Sequence, residues 1–287
     1  MKNSFSSLTI FLIMSAPVCI FTEEQFPHIR RAGALAGEIL HLVGERIRPG
    51  LTLLELDTFA EEWIRDQGAI PTFKGYMGFP STLCTSVNEN IVHGIPTDRE
   101  LKDGDLVSID VGVTVTEDFN GKPFTYVGDN AFTFPCGEIS SKSKRLLKAT
   151  NAALWAGLEV IQAGKHISDI AVAIEAVAKE YRFGNVKEFG GHGIGPSYHC
   201  QPFIPNFSEY FNHFPDDEIK IGMVLAIEPM LNIGSSAIKK HKDGWTIMTA
   251  DRKNSAHFEH SALITSDSVE IITDVKKTKN IFHHFDE

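Results

Sequence analysis

Apolar residues recur at intervals of three and four in four segments of the chain, and this spacing predicts four amphipathic helices. The segments form two pairs, so that two helices open each half of the sequence. The second helix carries a start signal, because Thr52 is followed three positions later by Glu55 in a capping-box pattern. The predicted helices span residues 22–47, 52–68, 141–162 and 168–181.

Segments in which apolar and polar residues alternate, as in β-strands, lie between these helices and after them. The run LVSIDVGVTV at residues 106–115 has valine or isoleucine at every second position, which predicts a strand with one apolar face. The opposite face carries Asp110 among small residues, so we expect Asp110 where a polar site can form. A shorter strand is predicted at residues 83–87. Helices and strands together indicate an α+β protein.

Two stretches of the first half recur in the second half. The sequence IRPG at residues 47–50 matches IQAG at 161–164. KDGDLVSID at residues 102–110 likewise matches KIGMVLAIE at 220–228. These matches indicate that a helix–helix–strand unit has been duplicated.

The second match aligns two acids, Asp110 and Glu228. An accidental match of apolar segments need not align acids, so the alignment favours a duplication with approximate halves 22–135 and 136–275. We expect the halves to be related by a pseudo-twofold axis. Each half would then contribute one carboxylate to a central site.

Composition restricts the classes of function. The chain of 287 residues has 37 acidic and 27 basic residues, a formal charge of -10 and no basic block. This balance argues against sequence-independent nucleic-acid binding, which needs clustered lysine and arginine. The four cysteines are scattered without a CxxC pair, so neither a disulfide framework nor a zinc knuckle is indicated. A reduced compartment fits this pattern.

The first twenty residues resemble a weak signal peptide. They have a lysine near the start and an apolar run at residues 8–13, followed by small residues, and the run is too short to span a bilayer. The alternatives are an unstructured or edge-packing extension and a start codon placed too early. We expect an extension over residues 1–21, a single domain over 22–287, and a cytoplasmic protein, with export as the less favoured alternative.

Candidate chemistry is concentrated around the glycine-rich stretch FGGHGIGPSYHCQP at residues 189–202. Glycines flank one histidine in it, and a second histidine follows seven residues later. One histidine and four carboxylates form a hard, oxygen-rich site suited to divalent Mn, Fe, Co or Zn, and bridging carboxylates can hold two ions. The candidate residues are His192, with His199 after it, and the acids Asp110, Asp129, Glu228 and Glu259.

Six motifs lie between residues 86 and 260, within a resemblance that runs from about residue 22 to residue 272. They are SVNENIVHGIP at 86–96, GDLVSIDVGV at 104–113, GDNAFTFPCG at 128–137, GGHGIG at 190–195 with His199 after it, VLAIEPML at 224–231, and GWTIMTADRKNSAHFEH at 244–260. Together they resemble the type I methionine aminopeptidases of the pita-bread (creatinase/aminopeptidase) fold. The resemblance implies a monomer with a central dinuclear site that removes the initiator methionine from nascent proteins near the ribosome exit. It also implies a small second residue in the substrate.

The resemblance implies five ligands for two divalent ions (Co, Mn, Fe, Zn or Ni). Asp129 and Glu259 match the bridging acids of the family. Asp110 would bind one ion, and His192 and Glu228 would bind the other. Glu228 also matches the acid that moves a proton to the leaving amine. His93 and His199 match active-site histidines that contact the substrate without binding metal.

One departure concerns the second aspartate. Gly121 stands where the family usually has that residue, and the Gly-Asp pair arrives only at Asp129. The inserted residues 117–126 contain Asn120-Gly121, a dipeptide typical of hairpin turns. A longer hairpin that retains the ligand at its base explains the shift. Asp118 is the competing ligand, but it lacks the GDxAxTF context, so we favour Asp129.

Methionine specificity requires a small apolar pocket beside the metals. Aromatic and thiol groups suit a thioether, which is polarisable and favours ring contacts. The resemblance assigns the pocket to Phe73, Tyr76, Phe79, Cys84, Tyr198 and Trp245. If the stretch around Glu259 is a strand, His257 shares its face and His260 points away, so His257 is expected to contact the site at most indirectly.

Two alternatives share the fold. Prolidases and aminopeptidase P have the same ligands but a substantial further N-terminal domain, whereas about twenty residues precede the first predicted helix here. Non-catalytic pita-bread modules that bind peptides lose ligands, and this chain has all five. A type II enzyme would have a long helical insertion between His192 and Glu228, for which there is no room.

Overall fold

The structure is a computed structural model that describes residues 17–276 and 278–280. Its four long helices lie in the two predicted pairs. They are α1 (Phe26–Gly44), α2 (Leu53–Asp66), α3 (Ser141–Glu159) and α4 (Ile167–Tyr181). The first helix is shorter than predicted at both ends. A 3-10 turn, Glu23–Gln25, precedes it, and Pro27 occupies its first turn, a position where the missing N–H costs no helical hydrogen bond.

The strands are short, apart from two in the first half. They are β1 (Ile70–Pro71), β2 (Leu83–Val87), β3 (Asn90–Val92), β4 (Leu106–Phe119), β5 (Lys122–Pro135), β6 (Gly184–Asn185), β7 (Gly190–Gly193), β8 (Cys200–Pro205), β9 (Val224–Ile227), β10 (Met230–Asn232), β11 (Ile238–Lys240), β12 (Ile247–Thr249), β13 (Ser255–His257), β14 (His260–Ile264) and β15 (Val269–Ile271).

Every strand pair of the described residues is antiparallel, as predicted. In the first half, β4 pairs with β1, β2 and β5. In the second half, five strands follow the order β15-β14-β9-β7-β8. Two three-stranded sheets, β13-β10-β6 and β11-β12-β3, complete the framework.

A long hairpin joins β4 to β5. Its two-residue turn is Asn120-Gly121, with φ angles of 56° and 76°. Positive φ at both positions is the condition for a type I′ turn, which Asn-Gly favours, so the predicted hairpin is confirmed. The strand predicted at residues 106–115 was too short, because the backbone ladder continues into an exposed tip where the apolar alternation has ended.

The helices cover one face of this hairpin at close range. At Gly128 on β5, a β carbon would lie 2.3 Å from the carbonyl oxygen of Ala32 in α1. Only glycine permits so close a contact between helix and strand. The opposite face of the hairpin faces the second half of the chain.

Equivalent backbone hydrogen bonds relate the two halves. The N–H of Gly50 donates to the carbonyl of Leu101 at 2.9 Å, and the N–H of Gly164 donates to the carbonyl of Ile219 at 2.9 Å. Both glycines have a left-handed backbone, with φ of 88° and 86°. Each precedes the second helix of its half, so one backbone arrangement occurs twice, as the repeated sequences predicted.

The sheets of the two halves meet at Ala131 and Glu259. These residues form an isolated antiparallel bridge in which the N–H of Glu259 donates to the Ala131 carbonyl at 2.8 Å. Beside this bridge, the Ser261 hydroxyl donates to the carbonyl of Asp129 at 2.7 Å. The junction fixes the relative positions of two strands that carry predicted ligands.

Residues 17–21, which the sequence analysis assigned to the extension, contact the domain. The Phe21 ring is buried beside Tyr126, and the N–H of Phe21 donates to the Gly222 carbonyl at 2.8 Å. The signal-like residues 1–16 lie outside the described residues. Across the part of the chain that the structure describes, none of the helices has the length and apolar content needed to cross a membrane.

Candidate metal centre and adjoining cavity

The hairpin brings Asp110 and Asp129 together. Asp110 on β4 pairs with Ala131 on β5, and Asp129 pairs with Gly112, so the two acids are diagonal neighbours on one face. Each acid therefore lies opposite a residue too small to cover it. Both side chains are buried, Asp129 completely.

His192 lies in the middle of the second-half sheet. It belongs to β7, which is flanked by β8 and β9, and a β carbon on neighbouring Gly191 would lie 2.0 Å from the carbonyl oxygen of Ala226. The glycines of this motif thus let the flanking strands approach the histidine closely. The Nδ1–H of His192 donates to the Gly193 carbonyl at 2.9 Å in the tautomer that satisfies that oxygen, which leaves Nε2 free to bind a cation.

The acids of both halves surround this nitrogen. His192 Nε2 lies 3.4 Å from Oδ2 of Asp129 and 3.8 Å from Oε1 of Glu228, which follows directly after β9. Ligand atoms of Asp129, His192 and Glu259 all lie within 4.8 Å of one another. The structure therefore brings the predicted ligands of the two halves to one place.

Within the described part of the chain, several oxygens of the buried carboxylates have no hydrogen-bond partner. These are Oδ1 of Asp110, both oxygens of Asp129 and Oε1 of Glu259. Burying an unpaired carboxylate is costly unless a cation compensates it. Four acids and one imidazole are the donor set that divalent first-row metals bind, so these residues fit such ions.

The raised pKa values of the clustered acids reflect their burial and the repulsion between their negative charges. Burial raises the pKa of Asp110, Glu228 and Glu259 well above its ordinary value, and the charge of Asp129 raises the pKa of each further. Carboxylates this close cannot all be ionised without a compensating charge. Bound cations would supply it.

Asp118 lies far from this cluster. It is near the exposed end of the hairpin, where it pairs with Pro123 and accepts a hydrogen bond from the N–H of Gly121 at 3.0 Å. That contact is typical of an aspartate that stabilises a turn. The geometry thus favours Asp129 over Asp118, as the sequence context did.

A cavity of about 580 Å³ adjoins the acids, and Asp110 forms part of its wall. All six residues predicted for the methionine pocket line it, together with both predicted active-site histidines. The lining residues are Phe73, Tyr76, Met77, Phe79, Cys84, His93, Asp110, Phe189, Tyr198, His199, Lys240, Gly244, Trp245 and Ile247.

Aromatic rings form most of the wall. The Tyr198 ring lies 5.2 Å from those of Phe73 and Tyr76, measured between centroids, and the Trp245 ring lies 5.1 Å from Phe79. The Cys84 thiol is buried among them, and burial raises its pKa well above the ordinary value, so it stays protonated at neutral pH. The part of the wall that these residues form is therefore uncharged and polarisable.

Both cavity histidines are neutral at physiological pH. Burial lowers the pKa of His93 to about 4, and burial together with the nearby His192 lowers that of His199 well below its usual range. The Tyr76 hydroxyl lies 2.9 Å from Nδ1 of His199. Because burial also raises the pKa of Tyr76, this hydroxyl stays protonated and can donate a hydrogen bond to Nδ1 of His199.

The two histidines beside Glu259 point in opposite directions, as predicted. His257 Nε2 lies 3.7 Å from Oε2 of Glu228 and has no hydrogen-bond partner among the described residues. His260 instead faces Thr273, whose hydroxyl is 2.8 Å from its Nδ1. His257 thus contacts a predicted ligand, and His260 belongs to the core.

Sequence reasoning missed several residues of the cavity. Phe189, whose ring is 5.5 Å from that of His93, stands in the same glycine-rich motif as His192, and this position was its available signal. Lys240 and Ile247 lie on either side of the loop that carries Trp245. No local pattern distinguishes them from ordinary strand residues.

Comparison with known proteins agrees with this geometry. The model of metallopeptidase family M24 matches residues 27–266. The chain is 43% identical over 254 residues to methionine aminopeptidase 1 of Bacillus subtilis, and the match covers 88% of this chain and 98% of that protein. The crystal structure of methionine aminopeptidase from Rickettsia prowazekii has a TM-score of 0.82 at 36% identity, covering 89% of this chain and 99% of that one.

A more distant likeness shows the fold alone. The prolidase from Pyrococcus furiosus has a TM-score of 0.68 at 21% identity, covering 94% of this chain and 68% of that one. Together these likenesses confirm the predicted pita-bread fold. The family match spans most of the sequence and includes the five predicted ligands, Asp110, Asp129, His192, Glu228 and Glu259. The chain therefore belongs to metallopeptidase family M24.

Proposed function

We propose that this protein hydrolyses the first peptide bond of polypeptides that begin with methionine. The observation that carries the proposal is the double role of Asp110, which belongs to the buried acid cluster and also lines the aromatic cavity. A methionine side chain in the cavity would hold its own carbonyl beside the acids. Relatives with about 40% identity over most of the chain are named methionine aminopeptidases, which supports the same activity.

Members of a metallopeptidase family work with divalent metal ions, and the acid cluster fits them. We propose two ions. Asp129 and Glu259 would bridge them, Asp110 would hold one, and His192 and Glu228 would hold the other. When bound, such ions lower the pKa of water toward neutrality and polarise a carbonyl group. Mn, Fe, Co, Ni and Zn all suit this donor set.

Glu228 is the proposed proton carrier. Its carboxylate is mostly buried, and Oε1 lies 3.8 Å from Nε2 of His192 at the edge of the acid cluster. It would accept a proton from the attacking water and deliver it to the leaving amine. His257, 3.7 Å away, would keep the second oxygen of this carboxylate in position.

His199 and His93 would orient the scissile bond. With Tyr76 donating to Nδ1, the remaining Nε2–H of neutral His199 can donate to the substrate carbonyl, where negative charge develops during attack. His93, also neutral, would hydrogen-bond near the scissile nitrogen. Both histidines then act through fixed hydrogen bonds rather than through a charge of their own.

The cavity supports selection of methionine. Its aromatic rings and protonated thiol match an unbranched thioether, whereas a charged side chain placed among these rings would lose hydration without gaining a partner there. We further propose that a small second residue is required, since a bulky one would press against the segments that carry His93 and Tyr198. The natural substrates would be nascent proteins, met near the ribosome exit by a monomeric cytoplasmic enzyme.

The alternative activities are less well supported. The Xaa-Pro dipeptidase from Bacillus anthracis and the prolidase from Pyrococcus furiosus are 20% and 21% identical to this chain, which covers 62% and 68% of them. A non-catalytic binding module would have no need for a cluster of four acids and a histidine at the edge of a cavity. The predicted ligands and both histidines are all present.

Hydrolysis of short peptides tests the proposal. Purified protein reconstituted with metal should release methionine from Met-Ala-Ser but no alanine from Ala-Pro-Ala, and Met-Phe-Ser should be a poor substrate. A chelator should abolish the activity, and added metal should restore it. Cleavage of Ala-Pro-Ala at a comparable rate would favour an aminopeptidase P, and inactivity on every peptide would favour a binding module.

A further inference from the structure

Lys240 brings a positive charge to the edge of the substrate cavity. It ends strand β11 and lies among the described lining residues of the cavity, together with Ile247 on the adjacent β12. Residues 239–242 read KKHK, so three lysines fall within four positions of a chain with a net charge of -10. The β11–β12 hairpin is therefore a local cationic region on an acidic protein.

Strand register gives the separation of Lys240 from the residue that precedes His93. Lys240 pairs with Ile247, and Ile247 pairs with Val92, the residue before His93. Paired residues of an antiparallel ladder project on the same face, so Lys240 shares a face with Val92. Two interstrand spacings separate these residues, a distance of about 10 Å.

The charge of Lys240 is not neutralised nearby. Within the residues that the structure describes, Lys240 forms no ion pair. The closest acid in sequence, Asp243, is engaged with the His241 ring at 2.9 Å and with the Thr246 hydroxyl at 2.6 Å. After burial, the charge of Lys240 is the other cause that lowers the pKa of His93 to about 4, so its field extends into the cavity.

We propose that Lys240 is a specificity-determining residue that favours substrates with an acidic third residue. An extended peptide advances about 3.3 Å per residue, so a chain whose first bond lies beside His93 carries its third residue about 5 Å further along. The long side chain of Lys240 extends over the remaining distance. The inference rests on the proposed function and specifies which methionyl peptides the site prefers. An exposed ion pair of this kind changes kcat/KM by about two- to fivefold.

Matched peptides isolate this interaction. Met-Ala-Asp-Gly-amide and Met-Ala-Asn-Gly-amide differ only in the charge of the third residue, and the amide removes the terminal carboxylate that would also attract Lys240. We expect the wild-type enzyme to have a kcat/KM about two- to fivefold higher for the aspartate peptide. The preference should weaken at 0.5 M salt, because salt screens exposed charges.

Substitutions assign the preference to one residue. Lys240→Met should bring the aspartate-to-asparagine ratio to about one, and Lys240→Glu should invert it. Lys239→Met is the matched control, since adjacent strand residues project to opposite faces, and its ratio should equal that of the wild type.

Three outcomes would overturn the proposal. The first is a wild-type ratio of one, and the second is a preference that survives in Lys240→Met. The third is a Lys240→Met variant that loses activity equally on both peptides, because Lys240 would then support the cavity itself. In all three cases methionine release by the wild type leaves the proposed function standing, whereas inactivity of the wild type on both peptides would refute that function as well.

Discussion

Asp118 and Asp129 lie on the same hairpin, but Asp118 pairs with Pro123 near the exposed tip while Asp129 pairs with Gly112 in the buried middle. The inserted residues lengthen the hairpin outward and leave its buried part unchanged. An aspartate can therefore appear at an unusual sequence distance from Asp110 and still lie diagonally across from it. Position in the ladder, not spacing along the chain, decides which acid can bind a metal.

Asp129→Ala should abolish metal binding and nearly all methionine release. It removes two buried oxygens that have no hydrogen-bond partner among the described residues and that a cation would compensate. Asp118→Ala, the matched control, should retain full metal content and near wild-type turnover, with a stability loss of about 1 kcal/mol for the turn hydrogen bond. Metal analysis and Met-Ala-Ser hydrolysis would measure both. An inactive Asp118→Ala beside an active Asp129→Ala would reverse the assignment.

His199→Ala should retain its metal but lose kcat by a factor on the order of 10² to 10⁴, the scale of a lost acid–base or oxyanion contact. Tyr76→Phe should retain the imidazole and lose only its orientation, so a smaller decrease in kcat is expected. Metal content distinguishes the roles. A His199→Ala protein purified without metal would make His199 a ligand.

Asp110→Asn should stabilise the metal-free protein at pH 8. In that state the pKa of Asp110 is raised by burial and by Asp129, so the folded protein retains a proton that the unfolded chain releases near pH 4. Between the pKa of Asp110 in the unfolded chain and its higher pKa in the folded protein, the folded state binds more protons. The contribution of Asp110 to the free energy of unfolding therefore falls as pH rises through this range. The asparagine removes this loss, which amounts to about 1.4 kcal/mol per pKa unit.

Urea unfolding in the presence of a chelator measures this effect at pH 5 and pH 8. The advantage of Asp110→Asn over the wild type should be larger at pH 8 than at pH 5. Added metal should stabilise the wild type much more than the variant. A metal-free variant that is less stable than the wild type at pH 8 would show that repulsion among the acids does not dominate the site.

Trp245→Ala should raise KM about tenfold and leave kcat within about twofold of the wild type. The Trp245 ring packs on Phe79 in the cavity wall and has no proposed part in the chemical step, so we expect it to contribute binding that is uniform between ground and transition states. Trp155→Phe, on α3 and outside this cavity, serves as the control and should leave both constants unchanged. A large decrease in kcat for Trp245→Ala would mean that the ring positions the scissile bond.

Local patterns predicted much of the fold. Helical spacing located four helices, and strand alternation placed Asp110 on the face that receives the acids of the second half. The match between residues 102–110 and 220–228 located the duplication before any contact was known. Helix ends and strand lengths were less accurate, because capping turns and backbone ladders depend on neighbours rather than on apolar periodicity.

The cavity was only partly predictable. Motif residues such as Tyr198 and Trp245 were predicted from the resemblance and do line it. Lys240 was not, because its place in the wall depends on the pairing of β11 with β12 and of β12 with β3. The bridge between Ala131 and Glu259 was equally inaccessible, since it joins segments more than a hundred residues apart with no pattern in common.

That bridge also governs when the protein can become active. The proposed ligands extend from Asp110 to Glu259, and the last of them is held by the backbone of the first half. No fragment that ends before Glu259 contains the complete set, so a chain still being synthesised cannot assemble the centre until most of its length has been translated. With the ligand set proposed above, metal uptake would be a late event in maturation and would report that the two halves have docked correctly.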